Sequence, residues 1–390
     1  MKTAKRLEGI SEYYFSEKLR EIEALNQQGA KVINLGIGSP DLPPHPDVIE
    51  VLQQESARAN THAYQSYKGA PILREAMRNW YHRWYGVELD AATEILPLVG
   101  SKEGIMHICM TYIDAGDEAL VPDPGYPTYT SAVRLAGGTA RSYVLQGSLN
   151  WQPDLQQLAR QDLSRVKLMF VNYPHMPTGK LPDRTFFTQL VQFAQQHQIL
   201  LVHDNPYSFI LNDTPLSLLS IPGAKACVLE LNSLSKSQNM AGWRVGMLCG
   251  SPERIDEVLR FKSNMDSGMF LPIQVAAAKA LSLDQDWYDQ LNAVYRRRKQ
   301  KALALLDLLG CSYDLNQAGM FVWAAVPAQY QSGFVLSDML LHNSRVFITP
   351  GGIFGAAGNS YIRVSLCSTE ATFDESISRV ESYLKTIDHV

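Results

Sequence analysis

Three consecutive segments decide how this chain folds: VKLMFVNYP (166–174), RTFFTQLVQFAQQHQ (184–198) and ILLVHDNPY (199–207). The first and third are short and almost wholly apolar, as strands buried on both faces are. The middle one has the length and composition of a helix. Outward from this unit the rhythm repeats. EILPLV (94–99) reads as a strand, GSKEG (100–104) opens a helix over Ile105 to Ile113, and DEALVPDP (117–124) reads as the next strand. A helix follows from Tyr129 to Gly137, and ACVLELNS (226–233) is a further strand. Strands alternating with helices of about 10–15 residues predict a mostly parallel sheet covered by helices on both faces. Ligands of such sheets sit beyond the carboxyl ends of the strands.

The flanking regions have a different character. From Ser11 to Gly29, Phe15, Leu19, Ile22 and Leu25 recur at helical spacing ahead of the strand-like KVINLG (31–36). A helix starting near Pro71 carries Leu73, Met77, Trp80 and Trp84 on one face, as packing residues, and stops at Gly86. A long helix from Asp286 to Leu309 leads out of the first lobe. Beyond it come shorter strands, MFVWAAVP (320–327), RVFITPG (345–351) and YIRVSLC (361–367), between helices at Phe334–Leu341 and Phe373–Ile387. This predicts a smaller α/β lobe to which the N-terminal helix belongs. There is no internal repeat or low-complexity tract.

Composition narrows the function classes. The 390 residues are 46% hydrophobic, enough for one large core or two lobes, and the formal net charge is −4. That balance gives no electrostatic reason to expect nucleic acid or an anionic membrane as partner. The five cysteines, Cys109, Cys227, Cys249, Cys311 and Cys367, have no metal-ligand or CxxC spacing and read as buried thiols of a reducing compartment. With no leader-like or membrane-length apolar run, the expectation is a soluble cytoplasmic protein without a metal.

The polar residues gather at strand ends. Gly36-Ile37-Gly38 ends one strand, where two glycines allow close backbone approach by a ligand or form a plain turn. Gly100-Ser101 lies at a strand-to-helix junction, suited to a phosphate or to an ordinary N-cap. Asp204 ends the run ILLVH and needs a positive or hydrogen-bonding partner. Lys236 and Arg244 lie in SLSKSQNMAGWRVG (233–246), a polar turn between the apolar runs CVLEL and VGMLC. A phosphorylated pyridine aldehyde would use all of these. It needs an amine for a Schiff base, a carboxylate for its ring nitrogen, an aromatic ring to stack on and an anion site. Lys236, Asp204, Tyr126 and the group Ser101, Ser233, Ser235 and Arg244 meet that description.

At this point the chain resembles, over essentially its whole length, the class I/II aminotransferases, pyridoxal-phosphate enzymes of fold type I. SLSKSQNMAGWRVG is similar to the family's Schiff-base segment. NLGIGSPD, AYQSYKGAPILREA, GSKEGI, PDPGYPTY, HDNPY and YIRVSLC match other family segments in order. The resemblance implies a large domain at 45–285 with a mostly parallel (mixed) seven-stranded sheet, and a small α/β domain formed by 1–44 and 286–390. It implies pyridoxal 5′-phosphate held by Ser101, Lys102, Tyr126, Asn172, Asp204, Tyr207, Ser233, Ser235, Lys236 and Arg244. Tyr64 would reach the cofactor phosphate of a neighbouring subunit in a homodimer. Lys236, Asp204 and Tyr207 would be catalytic, with Asp204 on the ring nitrogen and Tyr207 on the phenolic oxygen. Gly38 and Arg363 would hold the substrate carboxylate. The implied reaction moves the amino group of an L-amino acid to a 2-oxo acid, through the Lys236 Schiff base and pyridoxamine phosphate. Rival readings are a lyase of the same fold, of the C–S lyase or aminocyclopropane-carboxylate synthase kind, and a non-catalytic ligand sensor. Tyr13, Tyr14, Phe15, Ile37, Tyr67 and Phe354 are expected near the mouth, where they suit aliphatic or aromatic substrates. Lys68, Arg58 or Lys102 would instead recognise an acidic or diamino substrate, or are solvated charges.

One residue departs from the family pattern. NYPHMPTG (172–179) places Met176 where the family has an asparagine that donates to the phenolic oxygen, and a thioether donates nothing. Either Tyr207 makes that contact alone, or Asn172 or His175 compensates. The Schiff-base pKa is therefore expected to be raised relative to a Met176→Asn variant, because the amide donor favours the deprotonated form. Absorbance titration of both proteins against pH checks this, and coincident curves would refute it.

Overall fold

The computed structural model describes residues 2–8 and 14–387. Its main sheet has seven strands in the order Ile95–Leu98, Gly246–Cys249, Val228–Ser233, Leu200–Asp204, Val166–Asn172, Glu118–Asp123, Thr139–Val144. All neighbours pair in parallel except Gly246–Cys249, which is antiparallel to both of its partners. The strand–helix alternation explains the parallel part, since each return crossover is a helix laid on the sheet. The reversed strand matters for the site. Its first residue, Gly246, pairs with Ser233 and with Leu98, both at the ends of their strands. The segment just before it, with Arg244, is therefore delivered to the same edge as the other strand ends.

Alternation along the central strands sorts side chains into two layers. Met169, Val171 and Leu201 pack in one apolar core with Leu73, Met77, Phe187 and Leu190. Leu168, Phe170 and Val202 pack in another with Ile105, Ile108 and Val133. The same period separates two neighbouring polar residues. His203 faces the first layer, where its Nδ1 lies 2.8 Å from Glu230 Oε2 and its Nε2 3.0 Å from the carbonyl of Tyr173. Glu230 also accepts from Tyr81 Oη, Ser217 Oγ and the Leu218 N–H at 2.8–2.9 Å. Both ring nitrogens thus lie within hydrogen-bond distance of oxygen atoms. Asp204, one residue on, faces the second layer.

Helix Pro71–Tyr85 ends at Gly86 in the left-handed conformation, as the sequence predicts, and Trp80 is buried with its Nε1 donating to Tyr288 Oη at 3.0 Å. Helix Gln285–Leu308 runs from the first core at Tyr288 into a further core at Leu291, Tyr295 and Leu305. There an antiparallel four-stranded sheet, Thr349–Pro350, Tyr361–Ser365, Phe321–Ala325 and Ser312–Tyr313, packs with the N-terminal segment. Ile33–Asn34 pairs in parallel with Val346–Phe347, and the Leu35 carbonyl accepts from the Ser365 N–H at 2.8 Å. Arg298 grips Asp41 through both guanidinium arms at 2.7 Å, tying the Gly36–Gly38 turn to the long helix.

Several elements escape sequence reading. The proline-rich stretch after Gly38 contains helix Pro46–Ser56, because its first proline sits at the N-terminal helical position behind a His45 cap. Strand Thr139–Val144 lies at the sheet edge and carries exposed polar residues, so it lacks an apolar run. Helix Leu271–Leu281 buries seven of its residues and shows no polar face to mark a helical period. Helix Pro252–Lys262 is likewise unpredicted. RVFITPG splits into two short strands, Val346–Phe347 and Thr349–Pro350. The N-terminal helix spans Tyr14–Gln27, and its expected start at Ser11 lies outside the described residues. No helix among the described residues is long and apolar enough to cross a membrane.

Because His203 and Glu230 are both wholly buried, removing one partner strands the other. Glu230→Ala is expected to lower stability by about 3–5 kcal/mol in urea unfolding, with Glu230→Gln milder. Unchanged stability in Glu230→Ala would contradict the pairing.

Candidate functional site

At the carboxyl edge of the main sheet lies a cavity of about 420 Å³. Five chain segments supply its polar wall. Asn172 and Asp204 end adjacent strands and are register partners. Ser233 ends the next strand, and its Oγ accepts from the Ser235 N–H at 3.1 Å. That contact caps a four-residue helix, Leu234–Ser237, which turns Lys236 into the cavity. Ser101 and Lys102 open helix Ser101–Tyr112 and line the same space, and no side chain among the described residues caps the N-terminus of that helix. Gly100, with φ 88°, leaves the room that the Arg244 guanidinium fills, since a Cβ there would overlap it. Arg244 donates to the Ala241 carbonyl at 2.8 Å and approaches Ser235 Oγ at 3.5 Å.

Desolvation sets the electrostatics. The Lys236 side chain is half-buried, and desolvation of its amine pushes its pKa below the ordinary lysine value, while nearby Arg363 and Arg244 push the same way. Its Nζ donates to the Gly38 carbonyl at 2.7 Å. Asp204 is pushed up to about 6 by burial, although the Tyr129 hydroxyl donates to its Oδ2 at 2.8 Å. Its other oxygen, Oδ1, has no hydrogen-bond partner among the described residues. Tyr207 is also raised by burial, and its ring meets Phe321 edge-on at 5.9 Å.

The opposite wall is apolar: Phe15, Leu19, Ile37, Met176, Phe321 and Phe354. Arg363 is embedded in it. Its guanidinium carbon lies 3.8 Å from the Phe321 ring centre, 4.6 Å from Phe354 and 5.8 Å from Phe15. Nη2 donates to the Gly36 carbonyl at 2.8 Å and Nη1 to Met176 Sδ at 3.4 Å. Gly38 has no space for a side chain, because a Cβ would overlap Phe321.

The cavity thus brings together Gly38, Ser101, Lys102, Tyr126, Asn172, Asp204, Tyr207, Ser233, Ser235, Lys236, Arg244 and Arg363. Tyr64 is outside it, with 91% of its surface exposed. Among the residues expected at the mouth, Phe15, Ile37 and Phe354 line the cavity. Tyr14 instead packs edge-on against Phe15 and Phe334, Tyr67 is exposed outside the lining, and Tyr13 lies outside the described residues. Arg58 pairs with Glu55 at 2.8 Å, away from the cavity. His175 is buried elsewhere against Thr178 Oγ1, and burial pushes it down to about 3. Asn172 is engaged by the backbone, its Nδ2 donating to the Asp204 carbonyl and its Oδ1 accepting from the Met176 N–H. Sequence reading missed Tyr129, Leu19 and Phe321. The place of Tyr129 three residues after Tyr126, at the start of a helix, was the available signal. Glu103, His107 and Asp266 bring three potential ligand atoms within 4.8 Å elsewhere. There the Lys262 amine already contacts Asp266 at 2.7 Å.

Comparison with known proteins adds an independent line. A family model described as aminotransferase class I and II matches residues 30–380. The LL-diaminopimelate aminotransferase of Dehalococcoides mccartyi (strain CBDB1) is 38% identical over 388 residues, covering 99% of this chain and 100% of that protein. The substrate-bound BacF structure from Bacillus subtilis superposes with a TM-score of 0.92 at 33% identity, covering 98% of each chain. An aminotransferase structure from Staphylococcus aureus gives 0.88 at 27% identity, covering 97% of this chain and 98% of that one.

The raised Asp204 value has a signed consequence for the ligand-free protein. The folded state holds this proton more tightly than the unfolded chain, whose carboxyl has its ordinary value of 3.8. Ionised Asp204 therefore destabilises the fold, with no effect below about pH 4 and a full effect of about 3 kcal/mol above about pH 6. Asp204→Asn should match the parent in denaturant midpoint at pH 4 and exceed it at pH 7.5. A constant difference across that range would refute the buried charge.

Proposed function

The chain belongs to the class I and II aminotransferases, which use pyridoxal 5′-phosphate and a lysine Schiff base to move an amino group between an amino acid and a 2-oxo acid, and we propose that Lys236 is that lysine. The observation that carries this is the pairing, in one cavity, of a desolvated amine of lowered pKa with a buried carboxylate oxygen that has no partner among the described residues.

The residues present fit the cofactor. The unpartnered Asp204 Oδ1 suits a protonated ring nitrogen. The amides at the start of helix Ser101–Tyr112, with Ser101, Ser233, Ser235, Lys102 and Arg244, suit a phosphate. Tyr126 offers an aromatic face, and Tyr207 a hydroxyl for the phenolic oxygen. When bound, the cofactor supplies an electron-withdrawing ring that acidifies the substrate Cα–H. Asp204 keeps the proton on the ring nitrogen. Lys236, its amine pKa lowered by burial, would take and return the substrate Cα proton. Arg363 binds the substrate carboxylate beside the Gly38 backbone. Its contacts to Phe321, Phe354 and Gly36 hold the guanidinium in place before substrate arrives.

The substrate side chain then lies along Phe15, Leu19, Ile37 and Met176, which favours aliphatic or aromatic amino acids. The names of the relatives at 38% identity raise LL-diaminopimelate as the rival donor, with Lys102 as the lining cation for its second carboxylate. The division into a cofactor domain at 45–285 and a domain of both termini is supported by the separate core around Leu291, Tyr295 and Ile362. A homodimer is supported by an exposed apolar patch of Tyr64, Tyr67, Met265 and Phe270, on segments that touch through His62 and Phe270. In that dimer Tyr64 reaches the partner's phosphate. A cytoplasmic location is supported by five free thiols.

Single-turnover half-reactions test the reading. Protein loaded with pyridoxal phosphate should convert phenylalanine, leucine or methionine at least about tenfold faster than aspartate or LL-diaminopimelate. Lys236→Ala should bind the cofactor and lose turnover. Ammonia release without amino transfer, or normal turnover in Lys236→Ala, would overturn the assignment.

A further inference from the structure

Asp204 reaches the cavity with its two oxygens in unlike surroundings. Oδ2 accepts from the Tyr129 hydroxyl at 2.8 Å, while Oδ1 has no partner among the described residues. Tyr129 is itself held rigidly. It is buried, its ring stacks on Phe170 at 4.8 Å and 14°, and Tyr126 meets it edge-on at 5.6 Å and 88°. Phe170 lies on the strand beside that of Asp204, two residues before its register partner Asn172. The hydroxyl is thus fixed by the same sheet that carries the carboxylate.

We propose that Tyr129 is a positioning residue, whose hydroxyl turns the Asp204 carboxylate so that Oδ1 faces the cavity, and holds it ionised without neutralising it. The inference rests on the reading above that Oδ1 meets the protonated ring nitrogen of pyridoxal phosphate. A phenol suits this task where a cation does not. It donates one directed hydrogen bond, favouring the carboxylate form, but brings no positive charge to compete with the ring nitrogen. The other titratable groups near Asp204 are Lys236 and Tyr207 on the cavity wall and His203 on its own strand. His203 is engaged by Glu230 on the opposite face. Tyr129 is therefore the hydrogen-bond donor to the Asp204 carboxylate among the described residues. With Tyr129 removed, burial would act on the carboxyl group opposed by Lys236 and His203 alone.

Titration of the full-length, cofactor-free protein with pyridoxal phosphate, followed by absorbance and protein fluorescence, tests this. Tyr129→Phe keeps the stacked ring and removes the hydroxyl. It should weaken cofactor binding by about tenfold at pH 8, and raise by about one unit the pH below which binding fails. In an Asp204→Asn background the same change should have little effect, since the hydroxyl acts through the carboxylate. Equal affinity and pH dependence in Tyr129→Phe and parent would overturn the proposal, as would an equal loss in both backgrounds, which marks packing alone. Failure of the parent itself to bind pyridoxal phosphate would overturn the cofactor reading, and this inference with it.

Discussion

A strand buried on both faces sends consecutive side chains to opposite layers, and the chain places its two most demanding polar residues on consecutive positions of such a strand. His203 is directed into one layer and satisfied there by Glu230, Tyr173 and, through Glu230, by Tyr81 and Ser217. Asp204 is directed into the other, where one oxygen meets Tyr129 and the second has no hydrogen-bond partner among the described residues. A one-residue slip of this strand would exchange the two and leave both buried groups unpartnered. The His203–Glu230 contact joins this strand to Val228–Ser233, so it also registers the strand that ends in the Ser233–Lys236 turn.

The cavity built on this edge buries Asp204 and Arg363 and half-buries Lys236, while Arg244 stays exposed beside them. The mutual effects of the first three are stronger there than at a surface. Burial lowers Lys236 and raises Asp204, and each moves toward its neutral form without the other cancelling the shift. Arg363 is treated differently. Three aromatic faces and a carbonyl hold its guanidinium, so it is orientated before any anion arrives. Met176 contributes a weak thioether acceptor to that set. The side chain that departs from the family pattern thus lies against Arg363. Asn172, the amide nearest to it in the chain, is committed to two backbone groups.

Much of this was legible in the sequence because strand ends announce themselves. VKLMFVN and ILLVHD are too apolar to be anything but buried, so a carboxylate or amide at their ends must be either costly or used. The lysine in SLSKSQ sits between two such runs and was readable on the same ground. Tyr129 was not. Its residue type is common in cores, and its place three residues after Tyr126 marks the cavity side but not the partner, since the hydrogen bond to Asp204 spans 75 residues. Helix Pro46–Ser56 hid behind prolines that read equally well as loop. Tyr14 and Tyr67 were expected at the cavity by nearness in sequence, but tertiary packing turned the first against Phe334 and left the second exposed.

By itself the sequence determined the parallel sheet, the edge at which a ligand sits and the family to which the chain belongs. The first two follow from hydrophobic period, which acts over a few residues, and the family from the resemblance of ordered motifs such as SLSKSQNMAGWRVG and PDPGYPTY to its segments. Only the tertiary structure decided that one Asp204 oxygen meets Tyr129 while the other has no partner among the described residues, and that the reversed strand Gly246–Cys249 brings Arg244 to Gly100. It also decided that Arg363 lies among Phe15, Phe321 and Phe354. Each of these depends on long-range contacts between elements that meet only when the sheet and the second core are assembled, and burial gives those contacts their strength.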